Sequence, residues 1–390
     1  MLTVAILGAN GFIGSRAVEL WHLGGVAEVR PIVRTLPSLA RLSRFDLDSR
    51  VASGFDEAAL CQAFQGCDVV VHAIAGDRRT ILGTLEPVYA AAQKAGVRRL
   101  VYLSSASVHG QAPAPGTDET SPLSNRQPLD YNTSKVQAER LLQQLRDRGS
   151  VELVILRPGI VFGPRSFWVT SFADALLNNS AYLVNGGQGI CNSIYVDNLI
   201  HAVERAMAVP TADREVFIVG DAEQVTWADL YAPIAAAMGF NLEQIPNAQG
   251  AAPKQDWTQL DWEDRIEAVL GSQASLTFLS LFPNQWRRAA RAALSTLFEA
   301  KLASPWQLPT PEPAPSIPTA TLEMALLQQC QYKLPNTKAV HGLGYQPPVA
   351  FEAACQKSIG WLKFVGYPIQ DVESPSVSLP LPAAFSSQSI

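Results

Sequence analysis

Residues Gly8-Ala9-Asn10-Gly11-Phe12-Ile13-Gly14 place glycine at three positions spaced by three, directly after the apolar run from Thr3 to Leu7. Phe12 to Leu23 then repeat apolar residues at helical spacing. Ile13, Ala17, Leu20 and Trp21 share one side, and Gly24-Gly25 stop the pattern. A strand, a glycine turn and a helix in that order constrain the fold more than any other segment. Gly8 permits the tight turn, Gly11 lets the backbone approach a pyrophosphate, and Gly14 lets the helix pack close to the strand. The helix N-terminus adds free N–H groups and positive potential. Asn10, Phe12 and Ile13 belong to the same loop and are expected beside the same ligand.

The alternation continues through the first 160 residues. Val29 to Val33, Asp68 to Ala73, Arg99 to Leu103 and Val151 to Leu156 read as strands. Helical patterns begin at Asp56-Glu57, span residues 84–95, and run from Tyr131 to Arg148. The strands are continuous apolar runs, the mark of a parallel sheet covered on both faces. Further on, Ser193 to Ala208 read as a strand turning into a helix. Glu215 to Val219 read as a strand and residues 225–239 as a helix. The predicted class is α/β: a Rossmann-type, doubly wound parallel sheet with a smaller, mostly helical C-terminal substrate lobe.

A chain of 390 residues is long for that sheet alone. Hydrophobic residues make up 47% and charged residues 17%, so a sizeable core can form and wholesale disorder is excluded. The formal net charge of −5 gives no global basic field for a nucleic-acid backbone, so no nucleic-acid partner is expected. The five cysteines, Cys61, Cys67, Cys191, Cys330 and Cys355, form no C-x-x-C pair. The histidines form no metal-binding pattern. Reduced thiols, a cytoplasmic location and no protein-held metal follow as expectations. No apolar run reaches the roughly 18 residues of a membrane span. The N-terminus reads as a first strand and not as a signal peptide.

Two segments carry chemistry beyond the glycine loop. At the end of the second strand, an acidic residue would bind the ribose hydroxyls of NAD. This chain has Val33-Arg34-Thr35, with no carboxylate until Asp46. Arg34 can pair with a 2′-phosphate, which favours NADP and leaves NAD open. The other segment is Tyr131-Asn132-Thr133-Ser134-Lys135, a Y-x-x-x-K. On a helix these two residues lie on one face, and the ammonium favours the tyrosinate form. A tyrosine so tuned can pass a proton to or from a carbinol oxygen. Upstream, Leu103-Ser104-Ser105-Ala106-Ser107-Val108-His109-Gly110 puts serine hydroxyls at a strand end, where such sheets bind ligands.

Five segments occur in a telling order. They are the glycine motif, His72-Ala73-Ile74-Ala75, the serine segment, the Y-x-x-x-K, and Leu156-Arg157-Pro158-Gly159-Ile160-Val161-Phe162-Gly163-Pro164. Together they resemble an extended short-chain dehydrogenase/reductase of the NAD-dependent epimerase/dehydratase family. Ile194-Tyr195-Val196-Asp197-Asn198 and Leu343-Gly344-Tyr345-Gln346-Pro347 add to the likeness, which covers about residues 1–240 and 335–365. The resemblance implies an enzyme with Ser105, Tyr131 and Lys135 as its catalytic set. It places Ala73, Ala75, Pro158, Ile160, Tyr131 and Lys135 against the cofactor. It implies hydride transfer between nicotinamide C4 and a substrate carbon while Tyr131 handles the proton.

Departures from the family pattern narrow the reaction. The 4,6-dehydratases carry Asp-Glu where this chain has Ala106-Ser107, so water elimination is not expected. A glutamate at Ser107 would mark a sugar-acid decarboxylase. The remaining options are 4-epimerase and keto-reductase on a nucleotide sugar in glycan biosynthesis. A hydroxysteroid- or dihydroflavonol-type dehydrogenase, acting on an apolar alcohol or ketone, is the alternative. A non-catalytic NADP-sensing protein is the alternative of another class, against which the intact Ser105, Tyr131 and Lys135 set argues. Cys191 stands where many sugar-nucleotide enzymes carry a diphosphate-gripping arginine, and Arg165 is the candidate substitute. Ser107, His109, Arg165 and Asn192 are the expected substrate contacts.

The expected organisation is a cofactor-binding core over residues 1–165 with a returning segment at 193–220. The substrate lobe takes 166–192 and 221–365, including an insertion at 240–320, and 366–390 form a flexible tail. Within the insertion, residues 275–301 contain a basic amphipathic helix. Trp286, Ala290, Ala293, Leu294 and Leu297 lie on one side, with Arg287, Arg288 and Arg291 largely elsewhere. Such a helix can pack as a lid over the substrate. It can also touch a membrane surface peripherally or form a homodimer contact.

Overall fold

Thr3–Leu7 form strand β1, and all five residues are buried. Val4 and Ile6 point into one core while Ala5 and Leu7 point into the other. The same division runs through β4 (Val69–His72), β5 (Arg99–Leu103) and β6 (Glu152–Pro158). Val69, Val71, Val101 and Leu156 face one layer; Val70, Leu100, Leu153 and Ile155 face the other. Side chains alternate across a strand, so two buried faces require apolar residues at every position. Each fully buried Val, Leu or Ile stabilises the fold by about 1.5–3 kcal/mol relative to exposure.

The computed structural model describes residues 1–248 and 318–370. Its main sheet has seven strands, including β2 (Glu28–Val33), β3 (Arg50–Val51) and β10 (Val216–Val219), in the order β10-β6-β5-β4-β1-β2-β3. Every pairing in it is parallel. One face is covered by α1 (Phe12–Leu23) and α7 (Val196–Ala208); the other by α2 (Glu57–Ala63), α4 (Leu85–Lys94) and α5 (Asp130–Arg148). Trp21 on α1 is fully buried and donates from Nε1 to Glu204 on α7 at 2.7 Å. Arg99, also fully buried, donates to the carbonyls of Ala206, Val209 and Pro210, which caps the end of α7. The strand order reverses between β1 and β4, so a ligand crevice opens at their C-terminal ends.

Beyond β6 the chain builds a second layer. β7 (Ile160–Phe162) pairs in parallel with β9 (Ser193–Tyr195), and β8 (Ile190–Cys191) pairs antiparallel with β11 (Val225–Thr226). Helices α6 (Phe167–Leu177) and α8 (Trp227–Ala237) pack through Phe172 stacked on Tyr231, ring centres 3.8 Å apart. The helices Leu322–Leu327, Thr337–Leu343 and Phe351–Phe364 complete it. The expected elements are present with two refinements. Residues 84–95 follow a separate short helix, α3 (Arg78–Gly83), and the expected helix at 225–239 begins with β11. Two-residue strands have no periodicity to read. Among the described residues no helix is long and apolar enough to cross a membrane. The basic helix at 275–301, residues 249–317 of the expected 240–320 insertion and residues 371–390 of the expected 366–390 tail lie outside the described residues.

Candidate active site

The glycine loop sits at the strand-order reversal. Gly8 has φ +82°, and a Cβ there would stand 2.7 Å from the Ala73 carbonyl oxygen at the end of β4. A Cβ on Gly14 would stand 2.3 Å from the Gly8 carbonyl oxygen. Both positions therefore require glycine, as the sequence predicts. Asn10 and Gly11 are exposed at the mouth of the loop, and Ser15 Oγ donates to the Gly11 carbonyl at 2.6 Å. This cradle, open at a helix N-terminus, fits the pyrophosphate of a dinucleotide. Ala73 and Ala75 follow β4 on its rim, and Arg34 is exposed at the end of β2.

β5 ends at Leu103, and the next residues form the wall of a pocket. Ser105, Ala106 and Ser107 line it with Gly110, Gln111, Pro158, Ile160, Ile190, Asn192, Trp227, Leu327 and Leu334, around a cavity of about 50 Å³. Tyr131 stands in the first turn of α5, with 41% of its surface exposed. One turn further, Lys135 is buried. Its Nζ donates to the Leu103 carbonyl at 2.7 Å and to the Tyr102 hydroxyl at 3.3 Å. It lies 5.8 Å from the centre of the Tyr131 ring.

The electrostatics differ from the sequence expectation at Tyr131. Although the residue as a whole is partly exposed, burial around its hydroxyl pushes the phenol above the ordinary value, and the opposing Ser105 hydrogen bond is the smaller effect. The Lys135 ammonium is spent on Leu103 and Tyr102, so it does not hold the phenol down as expected. Burial also lowers Lys135 itself, to about 8, with Glu139 acting in opposition. Glu323, from the helix Leu322–Leu327, accepts from Gln111 at 3.2 Å, and its charge raises Tyr131 further.

Behind the pocket wall lies a buried polar chain that motif spacing did not single out. Ser104 Oγ donates to Glu139 at 2.5 Å, and Arg157 Nη2 donates to Glu139 at 2.7 Å. Tyr131, Lys135 and Glu139 recur at four-residue spacing on α5, a signal that could have revealed the third member. Arg157 Nη1 meets His109 Nε2 at 3.1 Å. A guanidinium only donates, so His109 Nε2 is the acceptor. Burial and the Arg157 charge lower His109 to about 4, and it is neutral.

The expected substrate contacts separate in space. Ser107 lines the pocket, with its Oγ buried and without a hydrogen-bond partner among the described residues. Asn192 also lines it, but its amide is already occupied. Nδ2 donates to the Tyr332 carbonyl at 3.1 Å and Oδ1 accepts from Leu334 N at 2.8 Å. His109 lines a different cavity, with Thr117, Ser121 and Gln127. Arg165 faces the glycine loop, where Nη2 donates to Ser15 Oγ at 3.0 Å. Pro158 and Ile160, expected beside the cofactor, line the same pocket as Ser105.

The fold and site define an NAD(P)-dependent enzyme of the extended short-chain dehydrogenase/reductase type. The chain belongs to the NAD dependent epimerase/dehydratase family, whose model matches residues 4–220. It is 25% identical over 250 residues to 4-hydroxy-2-methyl-3-oxo-4-farnesyl-3,4-dihydroquinoline-1-oxide ketoreductase from Stigmatella aurantiaca, covering 61% of this chain and 74% of that protein. It is 26% identical over 260 residues to the UDP-glucose 4-epimerase of Vibrio cholerae, covering 63% and 78%. The structure of UDP-glucuronic acid 4-epimerase from Bacillus cereus, with UDP-glucuronic acid and NAD, shares the fold. The TM-score is 0.64 at 16% identity, over 93% of this chain and 100% of that one.

Proposed function

We propose that this chain moves a hydride between the nicotinamide of NAD(P) and a carbinol or ketone carbon of an uncharged, largely apolar substrate. The nicotinamide gives or takes the hydride when bound. Tyr131 gives or takes the proton at the substrate oxygen. Ser105 Oγ accepts from Ser107 N at 3.2 Å, which leaves its own hydrogen free for that oxygen or for Tyr131. Lys135, tied to the Leu103 carbonyl and the Tyr102 hydroxyl, positions the turn of α5 that carries Tyr131. A phenol raised above its ordinary value is protonated at neutral pH, which suits the proton donor of a ketone reduction.

The observation that carries the reading is the pocket in front of Ser105. Ile160, Ile190, Trp227, Leu327 and Leu334 supply its walls, and no cation lines it among the described residues. An apolar wall with few polar groups suits a neutral ketone. The similarity to the Stigmatella ketoreductase, whose name specifies a farnesylated quinoline, supports the same substrate class. The second reading, 4-epimerisation or keto-reduction of a nucleotide sugar, has the similarity to the Vibrio enzyme behind it. It needs a cation for the diphosphate. Cys191 fills the position expected for one and is buried, and Arg165 faces the glycine loop instead.

The test is turnover of purified protein with NADPH and NADH against neutral ketones, steroid and prenylated, and against UDP-sugars. Oxidation of the nicotinamide with neutral ketones is expected. Interconversion of UDP-glucose and UDP-galactose would replace the substrate assignment with the second reading. Binding of a dinucleotide with no turnover of any ketone would contradict the proposal.

A further inference from the structure

Arg165 lies in the left-handed backbone region, with φ +73°. A non-glycine residue there costs roughly 1–2 kcal/mol. The turn around it is fixed on both sides. Ser166 N donates to the Gly163 carbonyl at 3.0 Å, Ser166 Oγ donates to the Val161 carbonyl at 3.0 Å, and Trp168 N donates to Ser166 Oγ at 3.2 Å at the start of α6. The strained backbone delivers a half-buried guanidinium to one place, the first turn of α1. There Nη2 donates to Ser15 Oγ, whose own hydrogen goes to the Gly11 carbonyl.

No carboxylate pairs with this cation among the described residues. Glu19, the acid whose charge reaches it, is committed to Arg16 and Arg44. Burial and the like charges of Arg41, Arg16 and Arg44 disfavour the charged form of Arg165, and the Glu19 charge offsets only part of this. Among the described residues Arg41 is also without an acid. It donates to the Asn10 carbonyl at 3.1 Å, at the other end of the same loop. Two arginines without acidic partners among the described residues thus flank the cradle that the glycines shape. Strain, burial and repulsion are all unfavourable in the protein alone, and an anion in the cradle offsets the last two.

We propose that Arg165 is a ligand of the bound dinucleotide's phosphates and that this contact couples cofactor occupancy to the docking of the turn that starts α6. The proposal rests on the dinucleotide reading of the glycine loop and is independent of which ketone is reduced. It moves Arg165 from the substrate to the cofactor. It also explains why a non-glycine residue is kept at a left-handed position: the side chain is needed there, and glycine could not supply it.

The experiment measures NAD and NADP binding, and the melting temperature with and without each, for wild type, Arg165→Gly, Arg165→Lys and Arg34→Ala. Arg165→Gly relieves the strain and removes the unpaired cation. It is expected to melt no lower than wild type without cofactor, to bind NAD and NADP at least about tenfold more weakly, and to lose most of the cofactor-induced rise in melting temperature. Arg165→Lys should recover part of the affinity. Arg34→Ala should weaken NADP alone, which separates the 2′-phosphate from the shared phosphates. Unchanged binding of both cofactors by Arg165→Gly would overturn the proposal, as would a loss confined to UDP-sugars. Failure of wild type to bind either nucleotide would instead overturn the dinucleotide reading on which it stands.

Discussion

Glu139 and Arg157 are paired inside the protein, with Arg157 Nη2 2.7 Å from Glu139 Oε2 and side-chain exposures of 1% and 4%. The pair joins α5, which carries Tyr131 and Lys135, to β6, which ends in Pro158 at the pocket. Ser104, hydrogen-bonded to the same carboxylate, is the neighbour of Ser105. One buried ion pair thus holds together the elements that bear the proposed catalytic set.

Glu139→Leu should leave Arg157 buried and uncompensated. Removing one partner of a buried pair costs about 3–5 kcal/mol. Urea unfolding of the variant should show a loss of that order. A loss well under 1 kcal/mol would show that the pair does not organise the site.

Lys135 supplies a pH signature. Its folded value of about 8 lies below the ordinary 10.5. Between those values the unfolded chain binds more protons than the folded one, so the contribution of this group to stability rises with pH across the window. Below about pH 8 both states are protonated and the burial penalty is fully present. Melting temperatures of wild type should therefore climb relative to Lys135→Met as pH goes from 8 to 10. Parallel profiles would contradict the depressed value.

Ser107 tests substrate contact without disturbing the fold. Its Oγ is buried at the pocket wall and has no partner among the described residues. Ser107→Ala should leave stability unchanged or raised. It should increase KM for the ketone by about tenfold, the worth of one hydrogen bond. An unchanged KM would show that Ser107 does not touch the substrate.

Much of this was legible in the sequence because the signals are local. The glycine loop, the apolar strands and the four-residue spacing on α5 each depend on neighbours within a few residues. What was not legible depends on distant partners. Asn192 looked free to bind substrate, yet its amide is taken by Tyr332 and Leu334, about 140 residues away in sequence. Arg165 was expected at the substrate and is turned to Ser15, 150 residues earlier. The spacing of Tyr131 and Lys135 predicted a lowered phenol, but spacing says nothing of burial or of the carbonyl at Leu103 that receives the ammonium. His109 was expected at the substrate and is held by Arg157 behind the pocket wall.

The central claim is that Tyr131 moves the proton in a hydride-transfer reaction. Its most direct test is Tyr131→Phe, assayed for kcat with a neutral ketone and NADPH, with cofactor affinity measured on the same sample. The account predicts a fall in kcat of at least about 10²-fold with cofactor affinity close to wild type. Turnover equal to wild type would contradict it.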